Sequence, residues 1–291
     1  MLSKFTTSQI VSGIRWAFPC GSWSPSVQDW QFLASGLDAS EKEQVAQYAY
    51  LKDVKSTIIG RFMIKKYVSE VSGLDWKDIK ILRDVEHKKP YLCDDQFTRR
   101  RVQFNVSHNG DYVALAGEVG ILDIGIDLMK IKKTRTANID EYFRLMRRKY
   151  SSAEWAVINS QKSDTEQMAM FYRFWCLKES LTKAVGTGIT GDLRNISFNL
   201  KSHKLSSNVI VDDTEVFIGG CKCGSWKFEE TMIDREHIVT VALNDRERNF
   251  KIHRNKCSFT ILTYPELILQ YQQVTDVDVD YASQIMLKKT F

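Results

Sequence analysis

Trp175, Lys178, Glu179, Thr182 and Lys183 stand in the run WCLKESLTK. At about 100° per residue they fall on one helical arc of about 140°. One face then carries a carboxylate and two ammonium groups beside a large aromatic. On spacing alone this is also what a solvated helix face shows, with Glu179 and Lys183 paired at i, i+4 for about 0.3–0.5 kcal/mol. The neighbours Met170, Phe171, Phe174, Leu177 and Leu181 argue for burial instead, and charges on a buried helix need a partner or a use. A second carboxylate, Asp127, ends the apolar run from Ile121 to Ile126. It would either cap a turn or join Glu179 as a hard oxygen ligand, since magnesium takes one or two carboxylates and leaves its other positions to phosphate and water. Asn105 to Gly110 (NVSHNG) ends a strand-like stretch with small donors and one imidazole, His108. A lone histidine is ordinarily incidental, but beside a phosphate it is a suitable donor. Arg83 and the turn His87-Lys88-Lys89-Pro90 add basic charge, by themselves an ordinary charged loop.

The elements that must position these residues repeat. Ser12-Gly13-Ile14-Arg15-Trp16 is followed 112 residues later by Ile124-Gly125-Ile126-Asp127-Leu128. After the first, the pattern predicts a short helix over 41–50 capped by Ser40, then a long helix over 52–71 stopped by Gly73. Strands are expected at 78–82, 102–107 and 112–117, the last two joined by a hairpin turn at Asn109-Gly110-Asp111. After the second, Ser151 or Ser152 caps a helix through Ile158, and a long helix over 166–185 stops at Gly186. Strands follow at 195–200, 225–229 and 237–243. The expectation is an α+β fold of two similar, pseudo-twofold-related halves, 1–122 and 123–245, each with helices on a small, mostly antiparallel sheet. Residues 246–291 form a C-terminal extension with one added strand at 257–262, its last 25 or so residues peripheral. A ligand cleft is expected between the halves.

Composition narrows the class. Hydrophobic residues make up 43% and charged residues 26% of the 291, which is ordinary for a globular chain. No run approaches the roughly 20 apolar residues of a membrane span, and the N-terminus lacks a secretory pattern. The six cysteines include one C-x-C, Cys221 and Cys223, too little for a zinc site. A reduced, cytoplasmic protein is expected. The net charge of +5 is too mild to argue for nucleic acid. Basic residues nevertheless cluster at 99–101, 130–135 and 147–149, as solvated faces or as attraction for a polyanion or an acidic partner.

Together, Gly125-Ile126-Asp127 and the Trp175 to Lys183 helix resemble the two signatures of the 4′-phosphopantetheinyl transferases. These are a glycine–aliphatic–aspartate strand end and a Trp/Phe-x-x-Lys-Glu-Ser/Ala-x-x-Lys helix. The similarity extends from about Gly13 to Leu243, includes GIRWAFPCGSW at 13–23 and FNVSHNGDY at 104–112, and resumes at Phe259 to Leu262. It points to the large monomeric type with two pseudosymmetric halves. The resemblance implies magnesium-dependent transfer of phosphopantetheine from coenzyme A to a serine of an apo carrier protein, releasing adenosine 3′,5′-bisphosphate. The implied carriers are acyl or peptidyl carrier domains, such as those of fatty acid synthase and aminoadipate-semialdehyde dehydrogenase-like proteins.

By the same resemblance Asp127 and Glu179 would hold magnesium against the pyrophosphate, and Lys183 would stabilise the leaving group. His108 would reach the 3′-phosphate, with Asn105, Val106 and Ser107 shaping the adenine side. Arg83, His87, Lys88 and Lys89 would neutralise the remaining nucleotide charge, and Ser180, Leu181 and Thr182 would complete the coenzyme A contacts. Glu179, directly or through a metal-bound water, is the candidate base. These roles suit phosphoryl transfer, which depends on positioning and electrostatic stabilisation. The chain also departs from the pattern. Met129 replaces the second acidic ligand of bacterial relatives, leaving water or Asn109 to complete the shell. Gln44 falls where an early nucleotide arginine is expected, leaving Lys42 or another base to compensate. Lys88-Lys89-Pro90 replaces a Gly-Lys-Pro turn. Arg147 and Lys149 would attract an acidic carrier. The competing readings are a non-catalytic coenzyme A or carrier-binding module of the same fold, and an RNA-binding protein, which would lack the expected aromatic strand motif.

Overall fold

The computed structural model describes residues 13–85, 89–93, 102–120, 123–132, 139–186, 192–245 and 256–290. His87, Lys88, the basic run at 99–101, residues 133–135 and most of the linker before Lys256 lie outside the described residues.

The first half opens with strand β1 (Ile14–Phe18), followed by helices α1 (Val27–Ser35) and α2 (Ala39–Ala46). Each helix starts from a capping box, Ser26 with Asp29 and Asp38 with Glu41, whose side chains satisfy each other's backbone N–H groups. The α2 cap is therefore Asp38 and not Ser40, which lies inside the helix. Helix α3 (Leu51–Ser72) stops where Gly73 adopts a left-handed conformation, φ 72°. Strands β2 (Ile81–Arg83) and β3 (Pro90–Leu92) form a small ribbon. The strand expected from Asp78 starts later, because Trp76–Asp78 make a 3-10 turn that buries the Trp76 ring. Strands β4 (Val102–Asn109) and β5 (Tyr112–Val119) form a hairpin across Gly110 and Asp111. Gly110 takes φ 60° at the first central position of that two-residue turn.

The second half repeats the plan. Strand β6 (Asp123–Lys130) leads to helices α4 (Ile139–Met146), α5 (Ser152–Asn159, capped by Ser151) and α6 (Asp164–Val185). Helix α6 begins and ends 113 residues after α3 and likewise stops at a left-handed glycine, Gly186. A small sheet of β7 (Ile196–Asn199), β8 (Glu215–Ile218) and β9 (Cys221–Lys222) precedes the hairpin of β10 (Trp226–Met232) and β11 (His237–Asn244). The antiparallel order β1–β5–β4 in the first half matches β6–β11–β10 in the second. Asp127 does not end its strand. β6 pairs with β11 over its whole length, which places Asp127 mid-strand opposite Thr240.

The chain then returns to the first half through β12 (Thr260–Ile261), parallel to β1, and helices α7 (Tyr264–Ile268) and α8 (Val279–Met286). This segment is not peripheral. Leu267, Ala282 and Ile285 are buried in the first-half core. Tyr271 stacks on Phe62 with ring centroids 5.7 Å apart and 8° between planes. The apolar faces of α1 and α3 exceed what their own half covers, and the C-terminal segment covers them. Among the described residues, no helix is long and apolar enough to cross a membrane.

Two polar devices join the halves. Along one face of β4, Asn105 Oδ1, Ser107 Oγ and Asn109 Oδ1 accept the backbone N–H groups of Ile126, Leu128 and Lys130 at 2.9, 3.3 and 3.0 Å. Side chains at i, i+2 and i+4 thus take the place of a partner strand on the open edge of β6. Arg15 is the second device. Buried in β1, it reaches Glu118 of β5 at 2.8 Å and Glu229 of β10 at 2.7 Å.

Candidate active site

Helix α6 lies directly on β6, and Gly125 permits it. A Cβ on Gly125 would fall 2.1 Å from Ser180 O and 2.4 Å from Ala184 N. The glycine of the strand signature therefore lets the helix backbone approach until Glu179 and Lys183 stand over Asp127. Lys183 Nζ donates to Asp127 Oδ1 at 2.7 Å and to Ser107 Oγ at 2.9 Å, and the Ser107 hydroxyl donates to Asp127 Oδ1 at 3.1 Å. Glu179 and Lys183 do not form the i, i+4 pair that their spacing allows. The Glu179 carboxylate makes no hydrogen bond or ion pair with any described residue, and Asp127 Oδ2 is buried with no hydrogen-bond partner.

Burial raises the Glu179 pKa above the ordinary carboxylate value, and the neighbouring Asp127 charge adds to the rise, while Lys183 and Lys149 oppose it. The result is one ion-paired carboxylate beside one carboxylate with a raised proton affinity. Asp127 Oδ2 and the Glu179 carboxylate are the sparse, hard oxygen set that fits magnesium. No group of three His, Cys, Asp or Glu side chains converges among the described residues, and Asp127 and Glu179 are the carboxylates that stand together there. The Asn109 amide oxygen accepts from Lys130 N, so one of its lone pairs is engaged along the β6 edge. Met129 packs against the second-half core.

Lys178 parts from the other helix residues. Its ammonium is buried, pairs with Glu154 at 3.0 Å, and donates to Leu193 O and Ile196 O. It lies at the opposite edge of the 140° arc from Lys183 and ties α6 to α5 and to the start of β7. It is a strut, and the surrounding sequence gave no sign of Glu154 as its partner. Ser180 and Leu181 are also buried, the first in the α6–β6 contact and the second in the core.

Thr182 and Lys183 reach a cleft of about 580 Å³ between the halves. Arg83, Lys89, Asn105, Val106 and His108 line the same cleft. Lys89 also donates to Ala184 O at 3.2 Å, so the β2–β3 ribbon is tied to the last turn of α6. Desolvation lowers the His108 pKa and the Lys183 charge lowers it further, while Asp53 and Asp127 oppose the shift. The cleft carries five cationic side chains, Arg61, Lys65, Arg83, Lys89 and Lys183, against the carboxylates of Asp38 and Glu41. Gln44 also lines it. Lys42 does not; it sits on a separate surface against Asp278 and the Tyr281 ring. Arg61 and Lys65 were missed from sequence. Ser56, Thr57, Gly60 and Arg61 form a small and polar stripe at helical spacing beside the apolar Val54, Ile58, Ile59 and Phe62 of α3, and that interruption was the available signal.

A cationic cleft whose lining residue Lys183 is paired with Asp127, next to the desolvated Glu179, suits a polyanionic substrate. Comparison with known proteins makes the class specific. The profile described as 4′-phosphopantetheinyl transferase, N-terminal, matches residues 21–120, and that of the 4′-phosphopantetheinyl transferase superfamily matches residues 123–242. The chain is 35% identical over 286 residues to the L-aminoadipate-semialdehyde dehydrogenase-phosphopantetheinyl transferase of Homo sapiens, covering 96% of this chain and 92% of that one. It is 30% identical to a phosphopantetheinyl transferase of Thraustochytrium sp., over 78% and 77% of the two chains. With a 4′-phosphopantetheinyl transferase of Bacillus subtilis it shares 28% identity over 58% of this chain and 69% of the other. The protein belongs to the 4′-phosphopantetheinyl transferase superfamily.

Proposed function

We propose that this enzyme transfers 4′-phosphopantetheine from coenzyme A to a serine hydroxyl of apo carrier proteins, with magnesium as cofactor and adenosine 3′,5′-bisphosphate as the leaving product. The observation that carries the reading is that Asp127 Oδ2, buried with no hydrogen-bond partner, and the Glu179 carboxylate stand together beside Lys183, which itself lines the cationic cleft. Magnesium held by Asp127 and Glu179 would supply positive charge to the pyrophosphate. Lys183, fixed by Ser107 and Asp127, places an ammonium where charge develops on the departing phosphate. Glu179, directly or through a metal-bound water, takes the proton of the acceptor serine. Arg83 and Lys89 hold the nucleotide phosphates, and His108 contributes a hydrogen bond. The test is labelling of an apo acyl carrier domain with fluorescent coenzyme A. Labelling should require magnesium, stop on chelation and resume on adding the metal back. Binding of coenzyme A without turnover on any carrier domain, indifferent to magnesium, would instead establish a binding module.

The acceptor side has support of its own. Arg144, Arg147, Arg148 and Arg194 border a groove floored by Phe143 and Trp155. The next residue in the chain, Lys149, lies near enough to Glu179 for its charge to lower that carboxyl's pKa. A basic surface that runs up to the catalytic carboxylate suits an acidic carrier. Arg147→Glu or Lys149→Glu should raise KM for the carrier at least several-fold while leaving KM for coenzyme A within about twofold. Equal increases in both constants would contradict docking at this surface.

A further inference from the structure

The end of β4 places His108 in the cleft, and the turn that follows is held by a buried histidine that does not line the cleft. His237 opens β11 with its ring 1% exposed. Asp111 N donates to His237 Nε2 at 3.2 Å. A ring nitrogen that accepts carries no proton, so the proton of the neutral imidazole lies on Nδ1. Asp234 takes it there, its two carboxylate oxygens 2.9 and 3.0 Å from Nδ1. The same carboxylate accepts the backbone N–H groups of Glu236 and His237 at 2.8 and 2.9 Å. The β10–β11 turn thus sets Asp234, Asp234 sets the tautomer and plane of the ring, and the ring holds the Asp111 amide.

Asp111 is a junction between the halves. Its carbonyl accepts Gly21 N at 2.8 Å, from the loop after β1. Its carboxylate takes Lys130 Nζ of β6 at 2.5 Å. The contact with His237 is close-fitting, since a Cβ on Gly110 would fall 2.5 Å from His237 Nε2. Three residues before Asp111, the His108 ring lies near enough to Lys183 for that charge to lower its pKa. An apolar ring at position 237 would fill the same space but leave the Asp111 N–H without its acceptor.

We propose that His237, oriented by Asp234, is a positioning residue for the donor site: by holding the Asp111 amide it pins the end of β4 to the second half, and so fixes where His108 stands in the cleft relative to Lys183. The inference rests on the reading of the cleft as the coenzyme A site given under Proposed function.

The experiment separates positioning from stability through KM, which does not depend on how much of the enzyme is folded. His237→Phe keeps the ring and deletes the acceptor. It should raise KM for coenzyme A about 3- to 10-fold, the scale of one neutral hydrogen bond, and leave KM for the carrier within about twofold. His237→Gln places an amide oxygen where Nε2 stood and should return KM for coenzyme A to within about twofold of wild type. His237→Asn, which reaches Asp234 but not Asp111, should match His237→Phe and carries the comparison if the latter does not fold. In a His108→Ala background, His237→Phe should change KM for coenzyme A by less than about twofold, because its effect passes through His108. An unchanged KM in both His237→Phe and His237→Asn, no rescue by Gln, or effects that multiply with His108→Ala would overturn the proposal. Nitrogen-15 NMR of the wild type should show His237 protonated at Nδ1 and bare at Nε2, and the opposite tautomer would also overturn it. Calorimetry with coenzyme A and no carrier reads the same Phe-against-Gln contrast in affinity. If the wild type binds coenzyme A with that contrast but transfers to no carrier domain, the functional reading has failed and the positioning role stands. If it transfers but shows no contrast, the positioning role alone has failed, and a wild type that binds no coenzyme A overturns both.

Discussion

Glu179→Gln should lower the transfer rate at saturating coenzyme A and carrier by about 10²–10⁴-fold, the range set by loss of a general base, without lowering stability. The second half of that expectation separates function from structure. The Glu179 carboxylate makes no hydrogen bond or ion pair with a described residue, and burial together with the Asp127 charge raises its pKa. A folded-state pKa above the unfolded value means that the ionised carboxylate opposes folding at pH values above the ordinary carboxylate range, and that this penalty is absent below it. An isosteric amide removes the penalty. The urea midpoint of Glu179→Gln at pH 7, measured without metal, should therefore equal or exceed that of wild type, and the gain should vanish near pH 4. A site that costs stability and is kept for chemistry behaves in this way. A variant that labels carriers within tenfold of wild type, or that unfolds earlier in urea, would remove Glu179 from the role of base.

The same helix shows what a sequence discloses and what it withholds. Its periodicity located α6 to within two residues at its start, and Gly186 marked its end, because left-handed caps are a local property of glycine. Gly125 beside Asp127 also carried real geometric information, since only a residue without a side chain admits the α6 backbone. Partner choice was not local. Lys178 and Lys183 share an arc yet answer Glu154 and Asp127, which come from a different helix and from the far strand. Asn105, Ser107 and Asn109 looked like ligand contacts at a strand tip, and three of their polar atoms serve first as acceptors for the open edge of β6. The role of the C-terminal segment was hidden for the same reason. Whether a short amphipathic stretch is peripheral depends on how much apolar surface α1 and α3 leave open, which is a property of the packed half.

The pseudosymmetry itself identifies the residue whose loss should cost most in stability. By the 112-residue offset, Arg15 in β1 occupies the position that Asp127 occupies in β6. By the 113-residue offset of the long helices, Lys66 and Glu70 in α3 answer Glu179 and Lys183 in α6. The charges are reversed, and there the helix pair does close, Lys66 to Glu70 at 2.7 Å. With its helix satisfied internally, the first half turns its strand charge toward the other half, where Arg15 is held by Glu118 and Glu229. One copy of the motif is a strut, and the other has the carboxylates to which the proposed function gives the magnesium. Arg15→Met leaves two carboxylates behind in a buried site, and breaking such a set from one side costs about 3–5 kcal/mol. The urea midpoint should fall accordingly, while the rate per folded molecule at low temperature stays within a few-fold of wild type, because Arg15 touches neither Asp127 nor Lys183. Adding Glu229→Gln to Arg15→Met should recover part of the loss by removing one of the stranded charges. A single variant less than 1 kcal/mol below wild type, or a double variant worse than the single, would show that the halves are held together without this strut.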